Sequence, residues 1–212
     1  MIVVHHLNNS RSQRVLWLLE ELGIEYEIKR YERDAKTMLA PASLRQVHPL
    51  GKSPVITDED LTIAESGAIA EYIVDRYGNG RLIPAPGTPE RLRYTYWLHY
   101  AEGSAMPPLL LSLIFNNFGI GDSKAMDGFI APQIKLHFDY IEGELSKNTW
   151  FVGEEFTAAD IEMSFPLELL ATAAPDVESR PKLNEFLARI QARPAYKRAL
   201  ERGGKYDFAN RI

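Results

Sequence analysis

The beginning of the chain has the pattern of a strand, a helix and a second strand. The β-branched stretch Ile2–Val4 predicts the first strand, and Tyr26–Tyr31 alternates polar and apolar residues like another. Between them, apolar residues recur at the helical spacing of i, i+3, i+4 and i+7. These residues are Val15, Leu18, Leu19 and Leu22. The order predicts a βαβ unit with parallel strands and a right-handed crossover.

The next segment, which ends at Gly78, predicts a short helix, a hairpin and a longer helix. Arg33–Val47 is compatible with a helix but contains a proline, so we expect a short, irregular helix there. Val55–Thr57 and Leu61–Ile63 have the composition of short strands, and the acidic turn between them predicts a hairpin. The longer helix begins at Ser66.

The rest of the chain has helical patterns without a convincing strand. A stretch rich in proline and glycine follows Gly78 and predicts a linker. Pro107-Pro108 predicts a kink in the helical pattern that starts at Glu90, and the capping box at Thr157 predicts a well-nucleated helix. The predicted division of the chain is an α/β domain at 1–78, a linker at 79–88 and an all-helical domain at 89–212.

Composition excludes several classes of function. The formal net charge is −5, and no run of lysine and arginine supplies the positive surface that binding of nucleic acid needs. We expect a cytoplasmic protein without a membrane partner, because no apolar stretch has spanning length and no charged-then-apolar leader comes first. The chain has 0 cysteines, which excludes disulfides and a cysteine nucleophile. Any thiol in the chemistry must therefore come from a ligand.

The familiar metal and phosphate motifs are missing from the sequence. His5 and His6 are adjacent on a strand, so their side chains point to opposite faces and make poor joint ligands. We therefore expect no metal. Neither a glycine-rich phosphate loop nor the GxSxG motif of the serine hydrolases is present.

Ser10 is the first candidate for chemistry, because it lies between the first strand and the first helix. A hydroxyl beside the unpaired N–H groups of a helix N-terminus suits a bound anion or thiolate. The alternative interpretation is structural: Ser10-Arg11-Ser12-Gln13 has the spacing of a capping box.

Two further segments carry polar groups suited to a peptide-like ligand. Ser53, which precedes Pro54, can pair with a peptide through its backbone, although X–Pro bonds are mostly trans. Glu65-Ser66 opens a helix and offers a carboxylate, a hydroxyl and free N–H groups to the zwitterionic end of an amino acid. The alternative for this pair is an ordinary N-cap.

Taken together, four segments resemble the cytosolic glutathione transferases, and the resemblance covers essentially the whole chain. SRSQRVLWLLEELG resembles the first helix of the family with a serine at the catalytic position, and HPLGKSPVI resembles its cis-proline loop. IAESGAIAEYI resembles the γ-glutamyl-binding segment, and FTAADIEMSF resembles the capping box of the helical domain. The resemblance implies a thioredoxin-like α/β N-terminal domain followed by an all-α helical C-terminal domain.

The resemblance also implies a site for glutathione as co-substrate, without a metal. Glu65 and Ser66 would bind the γ-glutamyl end, and the backbone of Ser53 would bind the cysteinyl amides. Lys52 would bind the glycine carboxylate, with Gln46 as a further candidate for that end.

At the sulfur, the resemblance implies that Ser10 donates a hydrogen bond, which Asn9 assists or replaces, and that a cis bond precedes Pro54. The sequence does not choose between Ser10 and Asn9. The first tyrosine, Tyr26, comes too late for the tyrosine-type enzymes, and cysteine-type members are excluded by composition. The expected subclass is a bacterial serine-type enzyme, theta- or nu-like.

The leading hypothesis is conjugation of glutathione to a small hydrophobic electrophile, as in detoxification. Leu7, Met106 and Phe208 are the candidate contacts for that electrophile. One alternative is glutathione-dependent reduction of peroxides or disulfides at the same site, and another is a non-catalytic binding protein of the same fold. The family resemblance also implies a homodimer.

Overall fold

The chain forms two compact units in the computed structural model, which describes residues 1–173 and 179–209. The first unit contains Met1–Ile83 and also the described residues from Ile190 onward. The second unit contains the described part of Pro84–Arg189.

A mixed sheet of four strands forms the centre of the first unit, and its order is β2-β1-β3-β4. The strands are β1 (Ile2–Leu7), β2 (Tyr26–Tyr31), β3 (Val55–Asp58) and β4 (Leu61–Ala64). β1 is parallel to β2 and antiparallel to β3, and β3 is antiparallel to β4. The predicted βαβ unit and hairpin are confirmed, and the unit has the predicted thioredoxin-like architecture.

β1 is longer than predicted, because it continues beyond Val4 to Leu7. The two histidines that made this end look polar are both buried: His5 is 5% exposed and His6 is 4% exposed. His5 is held by a hydrogen bond between its Nδ1 and the Tyr31 hydroxyl, at 3.0 Å. Polar side chains with partners inside the fold therefore extend the strand past its apolar stretch.

Helices make up most of the rest of the described chain. They are α1 (Ser12–Leu22), α2 (Ser66–Tyr77), α3 (Pro89–Tyr100), α4 (Met106–Asn117), α5 (Ala131–Leu145), α6 (Ala158–Ala173), α7 (Pro181–Gln191) and α8 (Pro194–Gly203). In place of the irregular helix expected at 33–47, a short 3₁₀ helix covers only Ala42–Gln46. Pro41 directly precedes it, as a proline that cannot continue a helix would.

α1 buries all four residues of its predicted apolar stripe. It ends at Gly23, whose φ of 65° lies in the left-handed region that glycine adopts without strain. Its other face packs on α8, where the Trp17 and Tyr196 rings meet edge to face at 5.2 Å. The sheet, α1 and α8 therefore share one core.

Ion pairs reinforce the contact between α1 and α8. Arg193 pairs with both carboxylate oxygens of Glu21, at 2.6 and 2.9 Å. Arg198 and Arg202 pair with Glu20 at 2.8 and 2.9 Å. These contacts place the segment from residue 190 onward in the first compact unit, whereas the predicted division assigns it to the helical domain. The helical period of α8 shows which face is apolar but does not show which partner covers that face.

The second unit contains only helical elements among its described residues. α3 continues through the π-helical turn Ala101–Ala105 into α4. Pro107 and Pro108 lie in the first turn of α4 and have no N–H to donate to the carbonyls of the π-helical turn before it. The expected interruption is therefore present at this position.

The predicted cap of α6 forms around Asp160, which is fully buried. Its carboxylate accepts hydrogen bonds from the backbone N–H of Thr157 and of Phe151, both at 2.8 Å, and from the Thr157 hydroxyl at 3.1 Å. Burial nevertheless raises the pKa of Asp160 to about 6, because it opposes the charged form more than the three donors favour it.

Candidate active site

The register of the sheet brings three of the candidate segments to the same end. Val55 pairs with His5 of β1 and with Ala64 of β4. Both pairings are antiparallel, so the residues after β1, before β3 and after β4 lie together. They include Ser10, Ser53 and Glu65-Ser66. α1 and α2 also begin at this end, each with the positive end of its helix dipole.

Ser10 is buried just before α1 and is 4% exposed. Its Oγ accepts a hydrogen bond from the backbone N–H of Ser12 at 3.2 Å and lies 2.7 Å from the Ser12 Oγ. Arg11, rather than Ser10, occupies the N-cap position of α1. The Gln13 amide is buried without a hydrogen-bond partner among the described residues, so it does not return to the cap. The Ser10 hydroxyl therefore accepts one first-turn N–H, as the capping interpretation expects, but the reciprocal bond from Gln13 that would complete the capping box does not form.

Ser12 connects Ser10 to His6, and all three side chains are buried. The Ser12 Oγ lies 2.8 Å from the His6 Nδ1 and accepts a hydrogen bond from the Leu7 N–H at 3.2 Å. His6 also bonds the backbone of Gly203, and this bond favours the charged ring. Burial, with a smaller contribution from the Arg30 charge, still lowers the pKa of His6 to about 4. The imidazole is therefore neutral at pH 7.

Asn9 has a different set of partners, although it is the neighbour of Ser10. Its φ is 50°, in the left-handed region, which asparagine tolerates better than most residues. Its side-chain amide donates to the Asp207 carboxylate at 2.7 Å, and its carbonyl oxygen accepts from the Asp207 N–H at 2.9 Å. The Asn9 carboxamide is thus held at both ends by the C-terminal segment.

Ser53 lies beside Ser10, with 3.4 Å between the two hydroxyl oxygens. The Ser53 hydroxyl donates to the backbone carbonyl of His5 at 3.0 Å. The Ser53–Pro54 peptide bond is cis, as the family resemblance implies and against the usual preference for trans. This loop is therefore held against the end of β1.

Lys52, Gln46 and Glu65 are exposed, whereas Ser66 is buried at the start of α2. Glu65 has a φ of 72°, an uncommon conformation for a residue with a side chain. Leu7 is buried and Phe208 is partly buried in the first unit, and Met106 is buried at the start of α4 in the second unit.

The described residues offer neither a cluster of metal ligands nor a helix that could span a membrane. No three His, Cys, Asp or Glu side chains within residues 1–173 and 179–209 are grouped so as to hold a metal ion. Over the same part of the chain, every helix is too short or too polar to span a bilayer.

Comparison with known families identifies the relatives of the chain. Residues 1–75 match the glutathione S-transferase N-terminal domain, and residues 124–194 match the glutathione S-transferase C-terminal domain. Glutathione S-transferase 3 of Schizosaccharomyces pombe is 36% identical over 95% of this chain and 88% of that protein. The chain belongs to the glutathione S-transferase family.

Solved structures agree with this assignment of the chain as a glutathione transferase. A glutathione S-transferase from Actinobacillus pleuropneumoniae is 37% identical, with a TM-score of 0.90 over 99% of this chain and 96% of its own. A family member from Pseudomonas fluorescens, solved with two glutathione molecules bound, is 26% identical, with a TM-score of 0.81 over 94% of this chain and 92% of its own.

Sequence reasoning missed two residues that support Ser10 in this glutathione transferase. Ser12 lies within the capping-box pattern, but that pattern does not encode the direction of its side chain, back toward the strand. The place of His6 on a strand indicates only that it is a poor joint metal ligand with His5. The spacing of His6, Ser10 and Ser12 around a strand-to-helix turn was the available signal, and it required a tertiary contact to interpret.

Proposed function

We propose that this glutathione transferase activates the thiol of glutathione as a thiolate beside Ser10, for attack on a small hydrophobic electrophile. The observation that carries the proposal is the position of Ser10, Ser53 and Glu65-Ser66 at one end of the sheet, next to two helix N-termini. The bound glutathione in the Pseudomonas fluorescens relative supports the same ligand.

Glutathione has a zwitterionic end, two amides, a thiol and a terminal carboxylate, and each has a proposed partner. Glu65 binds the ammonium group, and Ser66 with the first turn of α2 binds the carboxylate of the γ-glutamyl end. The Ser53 backbone pairs with the cysteinyl amides as a sheet edge does. Lys52 binds the glycine carboxylate, with Gln46 as a second partner. The exposure of Lys52, Gln46 and Glu65 supports these roles.

Ser10 donates a hydrogen bond to the sulfur in this mechanism. A free thiol has a pKa near 8.5 in the cysteine model, and only the thiolate is a strong nucleophile. A hydrogen bond to a charged group contributes about 1.5–3 kcal/mol, and one pKa unit corresponds to about 1.36 kcal/mol. One hydroxyl together with the N-terminus of α1 would then lower the thiol pKa by roughly one to two units.

The Asn9 contacts support Ser10 as the donor. Two bonds to Asp207 fix the orientation of the Asn9 carboxamide, so that only the second N–H of its amide group is left for a ligand. Asn9 then assists by holding the turn that carries Ser10. For the electrophile, we propose Leu7, Met106 and Phe208 as contacts.

The test is a conjugation assay with a chlorinated nitroarene after retention of the protein on immobilised glutathione. Ser10→Ala should lower kcat/KM at neutral pH by about tenfold or more, since one pKa unit changes the thiolate-to-thiol ratio tenfold. Ser146→Ala, at an exposed serine that follows α5, is the matched control and should leave the rate unchanged.

Three outcomes would change the proposal. Full turnover by Ser10→Ala would remove the role assigned to Ser10. Turnover of hydroperoxides or disulfides without conjugation would replace the reaction. Failure of the wild-type protein to bind glutathione in calorimetry would favour a non-catalytic binding protein.

We propose a serine-type enzyme, theta- or nu-like, that acts as a cytoplasmic homodimer. Large apolar side chains exposed on α3 and α5 support association with a second copy: Leu92 at 73%, Tyr96 at 45%, Leu136 at 60% and Tyr140 at 40%. Sedimentation of the purified protein tests the dimer, and cell fractionation tests the location.

A further inference from the structure

The buried chain Ser10–Ser12–His6 contains a fixed number of protons, and this number determines what Ser10 offers to a ligand. The two links are 2.7 Å between the serine hydroxyls and 2.8 Å between Ser12 and the His6 Nδ1. Each distance is that of a hydrogen bond, so each link holds one proton. The two hydroxyls supply two protons, and the His6 ring can supply another only if its Nδ1 is protonated.

The tautomer of His6 follows from its second contact. The hydrogen bond between His6 and the backbone of Gly203 favours the charged ring. The Gly203 group must therefore be its carbonyl oxygen, which accepts the bond from a ring N–H. The Nδ1 faces Ser12, so the nitrogen that donates to Gly203 is Nε2. In the neutral ring the Nδ1 is then an acceptor. The Ser12 hydroxyl has two acceptors within reach, the Leu7 carbonyl at 3.3 Å and the His6 Nδ1 at 2.8 Å, and the shorter contact assigns its proton to His6.

The direction of Ser10 follows in turn. Ser12 donates its single hydroxyl proton to His6, so the proton in the short link between the two serines belongs to Ser10. The Ser10 Oγ already accepts the Ser12 N–H at 3.2 Å. Its remaining lone pair, rather than its proton, is what it can offer to a ligand. This arrangement suits a neutral thiol, which donates, and opposes a thiolate, which needs a donor.

We propose that His6, acting through Ser12, is a positioning residue that turns the Ser10 hydroxyl proton inward, away from a bound sulfur. Donation from Ser10 to a thiolate then requires Ser10 to give up its bond to Ser12. This inference rests on the proposed function, and it predicts opposite effects for two neighbouring serines. Loss of Ser10 removes the donor to sulfur, whereas loss of Ser12 removes the competitor for its proton.

The experiment measures the pKa of the bound glutathione thiol, from the ultraviolet absorbance of the thiolate as a function of pH. In Ser12→Ala this pKa should fall by roughly one pH unit, the effect expected when one neutral hydrogen bond no longer competes. Ser12→Thr keeps the hydroxyl and should restore the wild-type value. In Ser10→Ala the pKa should rise.

His6→Phe should lower the same pKa as Ser12→Ala does, because Ser12 can then point its proton at Ser10. His5→Phe is the matched control: it replaces the neighbouring buried histidine, whose ring bonds Tyr31 and not the serines, and should leave the thiol pKa unchanged. Thermal unfolding of each variant separates a loss of fold from a change at the site.

Two results would overturn the inference while leaving the proposed function in place. An unchanged or raised thiol pKa in Ser12→Ala, with glutathione still bound, would show that Ser12 does not compete for the proton. Nitrogen NMR of the ligand-free protein gives the tautomer of His6 directly. A proton on the His6 Nδ1 would reverse the direction of the hydrogen bonds through Ser12. Absence of glutathione binding by the wild-type protein would instead reject the proposed function, and the NMR result would still decide the direction of the chain.

Discussion

Burial favours the neutral form of the Asp160 carboxyl group, although every hydrogen-bond partner of that group is a donor. Its folded pKa of about 6 lies above the usual value of 3.8. The folded protein therefore holds this proton more tightly than the unfolded chain does. The contribution to stability is present at low pH and is lost as pH rises from about 4 to about 6.

Asp160→Asn should remove that dependence on pH. The asparagine side chain stays neutral at every pH. The unfolding free energy of the variant, relative to that of the wild type, should therefore increase between pH 4 and pH 7. The increase is on the order of 3 kcal/mol for a pKa raised from 3.8 to about 6. Urea denaturation of both proteins across this range is the measurement. A difference in unfolding free energy between the two proteins that stays constant from pH 4 to pH 7 would show that Asp160 ionises with its usual pKa.

The residues around Ser10 show how far a sequence pattern determines a site. The pattern identified Ser10, Ser53 and Glu65-Ser66 as candidates, and the strand register brings these segments to one end of the sheet. It did not show that Ser12 turns back toward β1 and bonds His6. A serine at a helix start can cap the helix or bond the preceding strand, and only the tertiary structure decides between the two.

At the level of elements, local pattern determined the strands and most helices. β2 has the predicted bounds Tyr26–Tyr31, because alternation and aromatic ends define a half-buried strand without ambiguity. The packing of α8 on α1 was not predictable in the same way. In the sequence, the arginines of this segment have the pattern of a solvent-exposed face. Only the structure shows that Glu20 and Glu21 lie opposite them.

Glu20 links α8 to α1 and β2, and its removal should loosen that contact. Its carboxylate is 9% exposed and accepts from Arg198, Arg202 and the Tyr26 hydroxyl. Burial alone would raise the pKa of Glu20, but these hydrogen bonds lower it below its usual value. The stabilisation should therefore be present at neutral pH and be lost as pH falls through this lowered pKa.

We expect Glu20→Gln to reduce the unfolding free energy at pH 7 by about 1 kcal/mol, because the arginine partners are half exposed and solvent screens the pairs. Chemical denaturation gives the value. Glu201→Gln, at an exposed glutamate on α8, is the control. Equal effects of the two substitutions would mean that the pairs on Glu20 contribute nothing specific.

At the scale of the whole molecule, the first compact unit is assembled from both ends of the chain. Residues 1–83 carry the whole sheet, but α1 buries part of its surface, including Trp17, against α8. An isolated segment 1–83 should therefore fail to unfold cooperatively, since that apolar surface would be exposed to water.

The control for this experiment is a designed protein in which a flexible linker joins residues 1–83 to residues 190–212. This version should show a cooperative thermal transition by circular dichroism, whereas the segment 1–83 alone should bind a hydrophobic dye and lack such a transition. Cooperative unfolding of 1–83 by itself would show that α8 is dispensable for this core.

The origin of one core in two distant parts of the chain has a consequence for biosynthesis. A ribosome releases α1 (Ser12–Leu22) well before α8 (Pro194–Gly203), the helix that covers it. At typical elongation rates the roughly 170 residues between α1 and α8 take on the order of ten seconds. During that interval the apolar face around Trp17 is open to chaperones or to other nascent chains, so a slow stretch of translation between the two helices would prolong the risk of aggregation.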